Sequence, residues 1–144
     1  MSDSTAAATE IDVVRAFLGA LEARDVDRLL DLSDPAIVYQ NMPLPPARGM
    51  VAFERQMRWF ERYASGFEAR IHNIAADGPT VLTERTDIIE FGRLRAEFWV
   101  CGTFEVQAGR VVLWRDYFDY VDVTVAFAKG ALRAIVAALR GDAT

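Results

Sequence analysis

Two acids and an arginine stand where a strand should present apolar side chains. In the run Thr80–Phe91, side chains of an extended chain alternate between two faces. One face carries Val81, Thr83, Arg85, Asp87, Ile89 and Phe91, and the other carries Leu82, Glu84, Thr86, Ile88 and Glu90. The second set is the more polar and is expected to be the wetter one. That leaves Arg85 and Asp87 on the more apolar face, where an unpaired charge is strongly disfavoured. A second run repeats the anomaly: Val112, Trp114, Asp116 and Phe118 share one face, so Asp116 is flanked by large apolar groups. Arg85 is the natural partner of both acids, because a planar guanidinium can bridge two carboxylates. Two carboxylates sharing one arginine in a poorly hydrated pocket resist joint ionisation, so one tends to keep a proton. An acid beside a base is what a concerted acid–base reaction requires. The same residues also admit a purely structural reading, since an Arg-x-Asp on a strand often does no more than satisfy itself. Tyr39 and Asn41, next to Pro43, Pro45 and Pro46, can likewise simply build a turn.

The elements that must position these groups can be read from hydrophobic spacing. From about Glu10 to Ala23, Ile11, Val14, Phe17, Leu18 and Leu21 form one helical stripe. Asp25 can cap a short helix through about Leu32. Ile37 to Gln40 reads as a short strand that ends at the prolines, which disfavour both helix and central strand. After Gly49 a helix runs from about Met50 to Tyr63. The period then changes: Phe67, Ala69 and Ile71 alternate with polar residues, and Asp77-Gly78-Pro79 is a turn. Three strands follow at about Thr80–Phe91, Leu94–Gln107 and Arg110–Tyr120, forming a meander with turns at Gly92 and Ala108-Gly109. Helical spacing returns from about Thr124 to Leu139. Helices followed by consecutive antiparallel strands give an α+β fold in a single domain over residues 1–144, with residues 1–9 expected as a disordered tail.

Composition narrows the function. The chain has 144 residues, 52% of them hydrophobic, and a net charge of −5. That size allows a real core with an internal pocket. The acidic balance and scattered basic residues argue against nucleic acid as a partner. One cysteine, Cys101, precludes an internal disulfide and fits a reducing compartment. The first residues lack the pattern of a signal peptide, and no apolar run is long enough to span a membrane. The simplest location is the cytoplasm. The single histidine, His72, has no metal-ligand spacing around it and reads as a solvated strand residue, so no metal is expected.

Three segments carry a family resemblance. Tyr39-Gln40-Asn41-Met42-Pro43-Leu44-Pro45-Pro46, Thr83-Glu84-Arg85-Thr86-Asp87 and Trp114-Arg115-Asp116-Tyr117-Phe118-Asp119 resemble, in order, the signature segments of the limonene-1,2-epoxide hydrolase family. The resemblance implies a curved mixed sheet with N-terminal helices packed over one face to form a cone-like pocket, as in the nuclear-transport-factor-2-like and SnoaL-like superfamily. It implies a homodimer without metal or cofactor. It also implies roles: Asp116 as the base that activates water, Tyr39 and Asn41 as groups that hold that water, Asp87 as the acid that protonates the epoxide oxygen, and Arg85 as the bridge. The helix bearing Arg58, Trp59, Phe60 and Arg62, and the tail after Asp119, depart from the limonene enzymes. The substrate is therefore expected to be a small apolar epoxide of terpene, lipid or sterol type rather than limonene oxide by default.

The same scaffold could also carry a polyketide cyclase, a ketosteroid isomerase or a silent apolar-ligand-binding domain. An isomerase needs no second acid bridged by arginine, and a binding domain needs none of the charges. Phe60, Ile89, Phe98, Val100 and Phe118 are expected to line the substrate pocket. Leu113, Tyr117, Trp99 and Cys101, on the sheet's second face, are expected to offer an apolar patch to a second copy.

Overall fold

The change of period near Gly66 divides the chain as the hydrophobic spacing requires. A computed structural model describes the backbone of residues 2–141 and the side chains of residues 10–141; the expected tail at residues 1–9 falls outside this fully described range. The elements are α1 (Ser2–Glu22), α2 (Val26–Asp31), β1 (Ser33–Met42), β2 (Ala47–Arg48), α3 (Met50–Tyr63), β3 (Gly66–Asp77), β4 (Thr80–Phe91), β5 (Leu94–Gln107), β6 (Arg110–Phe118) and α4 (Tyr120–Leu139). The strands form one six-stranded sheet in the order β2-β1-β6-β5-β4-β3. Only the β1–β6 pair is parallel among these pairings, so the sheet is mixed. Register slips mark bulges in β1, β3 and β6, which bend strands and increase local twist. The expected α+β fold is the one observed.

Local chemistry explains the joints. The Asp25 carboxylate accepts from the Arg28 N–H and caps α2. Ala108 and Gly109, at φ 51° and 74°, turn β5 into β6 with both central residues in the left-handed region. Asp119 accepts from the Val121 and Asp122 N–H groups at 2.9 and 3.3 Å. This cap starts α4 at Tyr120, so β6 stops at Phe118, two residues before the expected end, and the helix begins four residues before Thr124. Strand β1 also extends beyond the expected Ile37–Gln40. Pro35 lies in the stretch where the register with β6 slips, between Ser33 and Val38, so its missing N–H falls outside regular pairing. At the other end, Asn41 and Met42 pair with Asp116 and Tyr117 despite the following prolines. The two-residue β2, unanticipated in the Pro-rich segment, pairs Ala47 with Tyr39.

The core lies between α1, α3 and one face of the sheet. Val14, Phe17, Leu18 and Leu21 of α1 meet Phe53 and Met57 of α3 above Val81, Phe104 and Trp114. Phe17 is central: its ring stacks on Phe53 at 6.3 Å and meets Phe104 and Trp114 edge-on at 6.0 and 5.2 Å. On the opposite face, Ile88 is buried rather than wet. Its cross-strand neighbours Glu68 and Glu97 join Arg70 and Arg95 in a surface ionic lattice.

Beyond the end of β6, the edge of β5 from Leu94 to Trp99 has no strand partner on that side. Helix α4 covers this edge. The Trp99 N–H donates to Asp122 Oδ2 at 3.1 Å, and Gly130 lies so close to Arg95 that a Cβ there would collide with its carbonyl oxygen. Phe17→Ala should remove the aromatic hub and lower unfolding free energy by about 3–5 kcal/mol, measured by denaturant titration with the denaturant slope unchanged.

Candidate active site

The alternation of β4 and β6 turns Thr83, Arg85, Asp87 and Asp116 into the space beneath α1 and α3, and all four are buried. Arg85 is 0% exposed, and its hydrogen bonds account for that. Its Nε donates to Asp87 Oδ1 at 2.8 Å and its Nη2 to Asp87 Oδ2 at 3.1 Å, a two-pronged pair. The same Nη2 donates to Asp116 Oδ2 at 2.7 Å, and Nη1 donates to Thr83 Oγ1 at 3.1 Å. Asp116 Oδ1 accepts from the Trp114 indole N–H at 2.9 Å.

Strand β5 runs between the two acid-bearing strands, and Gly102 is the residue that lets the bridge cross it. In register, Gly102 faces Thr83 on one side and Asp116 on the other. A Cβ there would collide with Arg85 Nη1 and lie 2.7 Å from Asp116 Oδ1 and 2.9 Å from Thr83 Oγ1. A glycine inside a strand is the sequence signal for such a close approach.

Strand β1 brings the remaining polar groups. Asn41 pairs with Asp116 across the parallel ladder, and Tyr39 stacks on Trp114 with ring centroids 4.3 Å apart. Asn41 Nδ2 donates to the Tyr39 hydroxyl oxygen at 3.1 Å.

A cavity of about 520 Å³ opens on this cluster. Tyr39, Asn41, Asp87 and Asp116 line it together with Phe60, Ile89, Phe98 and Phe118. Val100, expected beside them, is not in the lining. It pairs with Arg85 and Phe118 and is completely buried in that row. Arg85 is also outside the lining, so the cavity meets the two carboxylates and not the guanidinium. Trp114, expected only as an apolar flank of Asp116, lines the cavity with its ring and holds the acid with its N–H. Arg55 and Gln56 of α3 also line the cavity, with no motif to announce them. His72, as expected, is exposed, 2.8 Å from Thr86 Oγ1.

Burial shapes the electrostatics. It pushes the Asp116 carboxyl up to about 6, against the opposing pull of Arg85. Burial raises Asp87 too, again opposed by Arg85. It opposes the Arg85 charge as well, but the two carboxylates outweigh it and hold the guanidinium charged. The Tyr39 phenol is raised by burial and by Asp116, so it stays a neutral donor. One acid of the pair can therefore be ionised while the other holds a proton, and the two titrate as a unit.

The limonene-1,2-epoxide hydrolase catalytic domain matches residues 8–129, most of the chain and all three signature segments. The chain belongs to that family. Epoxide hydrolase EphG of Mycobacterium tuberculosis is 46% identical over 124 residues, covering 86% of this chain and 80% of that protein. The solved structure of an M. tuberculosis limonene-1,2-epoxide hydrolase-like epoxide hydrolase superposes with a TM-score of 0.85 at 41% identity, covering 92% of this chain and 94% of that one. A SnoaL-like polyketide cyclase structure from Shewanella putrefaciens, so named provisionally, reaches a TM-score of 0.74 over 83% of this chain and 96% of its own. At 12% identity it shares the fold alone.

Gly102→Ala tests the crossing point. The added methyl must displace the guanidinium or the acid, so kcat on an epoxide substrate should fall by roughly 100-fold. Steady-state kinetics on variant protein with an unchanged circular dichroism spectrum provide the check.

Proposed function

We propose that this family member adds water across an epoxide to give a vicinal diol in one step, with no covalent intermediate. Asp116 is the general base, Asp87 the general acid, Arg85 the bridge between them, and Tyr39 and Asn41 hold the attacking water. The observation that carries this reading is the pair of carboxylates bridged by one fully buried guanidinium, with both acids and not the arginine facing the apolar cavity.

The surroundings support the division of labour. Asp116 sits beside the polar pair Tyr39 and Asn41, where a water has donors and acceptors to orient it. Asp87 pairs with Phe98 and shares its strand face with Ile89, in the apolar part of the cavity where a ring oxygen would lie. Water attacks a ring carbon while passing its proton to Asp116, the C–O bond breaks, and Asp87 gives its proton to the departing oxygen. The proton then returns from Asp116 to Asp87 to reset the pair. To carry a proton towards the cavity, one Asp87 oxygen must give up an Arg85 contact. The longer one, between Nη2 and Oδ2 at 3.1 Å, is the one released, while Nη2 keeps its 2.7 Å bond to Asp116. Acid–base assistance of this kind supplies about 10²–10⁴-fold, and fixing water against carbon supplies much of the rest.

The substrate is a bulky apolar epoxide, in keeping with the aromatic lining. The enzyme acts as a homodimer in the cytoplasm. The single cysteine supports a reducing compartment, and no helix among the described residues is long and apolar enough to cross a membrane. Large apolar side chains left exposed on the sheet's second face and on α4 support pairing with a second copy.

Asp116→Asn and Asp87→Asn should each abolish nearly all diol formation. The double variant should be little worse than either single one, because both groups act in one transition state. Independent, additive losses would contradict the concerted assignment. The value of kcat/KM should fall as pH drops through about 6, where Asp116 takes up its proton and can no longer act as a base. A profile flat across this range would contradict the roles.

A further inference from the structure

Charge is unevenly placed along the chain. The net charge is −5, yet Val123 to Gly141 contains no acid, and its only charged residues are Lys129, Arg133 and Arg140. Most of that stretch is helix α4. In the C-terminal half of the helix, Leu132, Ile135 and Leu139 are 62, 57 and 82% exposed, and their spacing of three and four residues sets them on one stripe. Arg133 and Arg140, seven residues apart, lie together on one flank of it. That flank opens into a basic groove. Arg133 lines it with Arg95 of β5 and with Arg93 from the turn between β4 and β5. Further along, Arg133 and Arg140 stand beside Val136 and Ala137. Arg95 is paired with Glu97 at 2.8 Å, whereas Arg93, Arg133 and Arg140 take part in no ion pair among the described residues. Arginines gathered round one groove repel one another, and a surface of anions relieves that repulsion.

We infer that this end of α4 docks on the surface of an anionic phospholipid bilayer. Leu132, Ile135 and Leu139 enter the boundary between headgroups and acyl chains, and Arg93, Arg133 and Arg140 meet the lipid phosphates. Two observations select lipid as the occupant. An apolar stripe flanked by bases and free of acids matches an interfacial helix in both polarity and charge, and long arginine stems let the charge reach the headgroups while the leucines lie deeper. The second observation is the place of the cavity mouth. The exposed residues of the lining, Arg55, Gln56 and Trp59, all lie on α3. Trp59 meets Phe91 at 6.4 Å, and Phe91 meets Phe127 of α4 at 6.5 Å. A short run of aromatic rings thus joins the docking helix to the mouth, so an apolar epoxide dissolved in the bilayer is held close to its entry. That supply rests on the hydrolase reading above, and the docking itself does not. The other end of α4 has a different neighbour: Asp122 holds the Trp99 N–H at 3.1 Å, so Val121 and Val125 continue the sheet's second face, which is offered above for pairing.

The test is cosedimentation of the purified full chain with vesicles of phosphatidylcholine alone or of phosphatidylcholine mixed with phosphatidylserine. At low salt the protein should partition roughly tenfold or more in favour of the anionic vesicles, and added salt should release it. Arg133→Gln and Arg140→Gln should each weaken this partition about fivefold. Leu139→Asp should weaken it roughly tenfold by removing an inserted side chain. All three variants should keep the circular dichroism spectrum of the wild type. Val51→Asp, on exposed α3, should bind as the wild type does. Equal partition onto both kinds of vesicle, binding to neither, or arginine variants that bind like the wild type overturns the proposal. Release by inorganic phosphate beyond that by chloride at equal ionic strength makes a soluble anion the occupant and overturns it as well. So does a lower mass in solution for Leu139→Asp, which would give the stripe to a second copy. Diol formation from a water-soluble epoxide should be the same in all these variants, and its absence in the wild type would count against the hydrolase reading alone.

Discussion

Arg85 has no surface in contact with solvent, and a guanidinium in that position has to be matched by protein groups on every side. Asp87 takes two of its donors, and Asp116 and Thr83 complete the set. Leaving a buried charge without its partner costs about 3–5 kcal/mol, so this cluster constrains its neighbourhood strongly. The acids must lie on strands whose alternation turns them the same way. The strand between them must carry no side chain where the bridge crosses. The register of β4, β5 and β6 must hold Thr83, Gly102 and Asp116 in one row. A slip of one residue in any of these strands would send a charge to the opposite face.

The aromatic core joins this cluster to the rest of the fold. Trp114 receives Phe17 of α1 edge-on and stacks between Tyr39 and Phe104, and its N–H ends on Asp116. One side chain thus packs the helices against the sheet and fixes the orientation of the acid. Strand residues make the cavity floor, and α3 supplies most of the upper wall.

Most of this plan was legible in residue types and spacing. The ends of β4 and β5 and of α3 coincide with hydrophobic runs bounded by glycine turns, and strict alternation put Arg85, Asp87 and Asp116 on inward faces. Features that depend on neighbours across the sheet were hidden. Val100 was assigned to the cavity by alternation alone, but its row is filled by Arg85 and Phe118. Gly102 carried a signal, a glycine within a strand, whose meaning emerges only when its two partners are known. Strand β1 starts before the expected Ile37 because Pro35 lies where pairing with β6 slips, and a proline outside regular pairing is tolerated. The resemblance supplied roles that spacing could not, since an arginine between two acids reads equally well as a structural pair.

In the proposed one-step mechanism water, and not a carboxylate, attacks the epoxide. A single turnover in ¹⁸O-labelled water with enzyme in excess over substrate tests it directly. Attack by water held at Asp116 puts the label into the diol in that first turnover and leaves the protein unlabelled. Attack by Asp116 or Asp87 would instead deliver an unlabelled carboxylate oxygen to the diol and leave ¹⁸O in the side chain, and that result would contradict the one-step account.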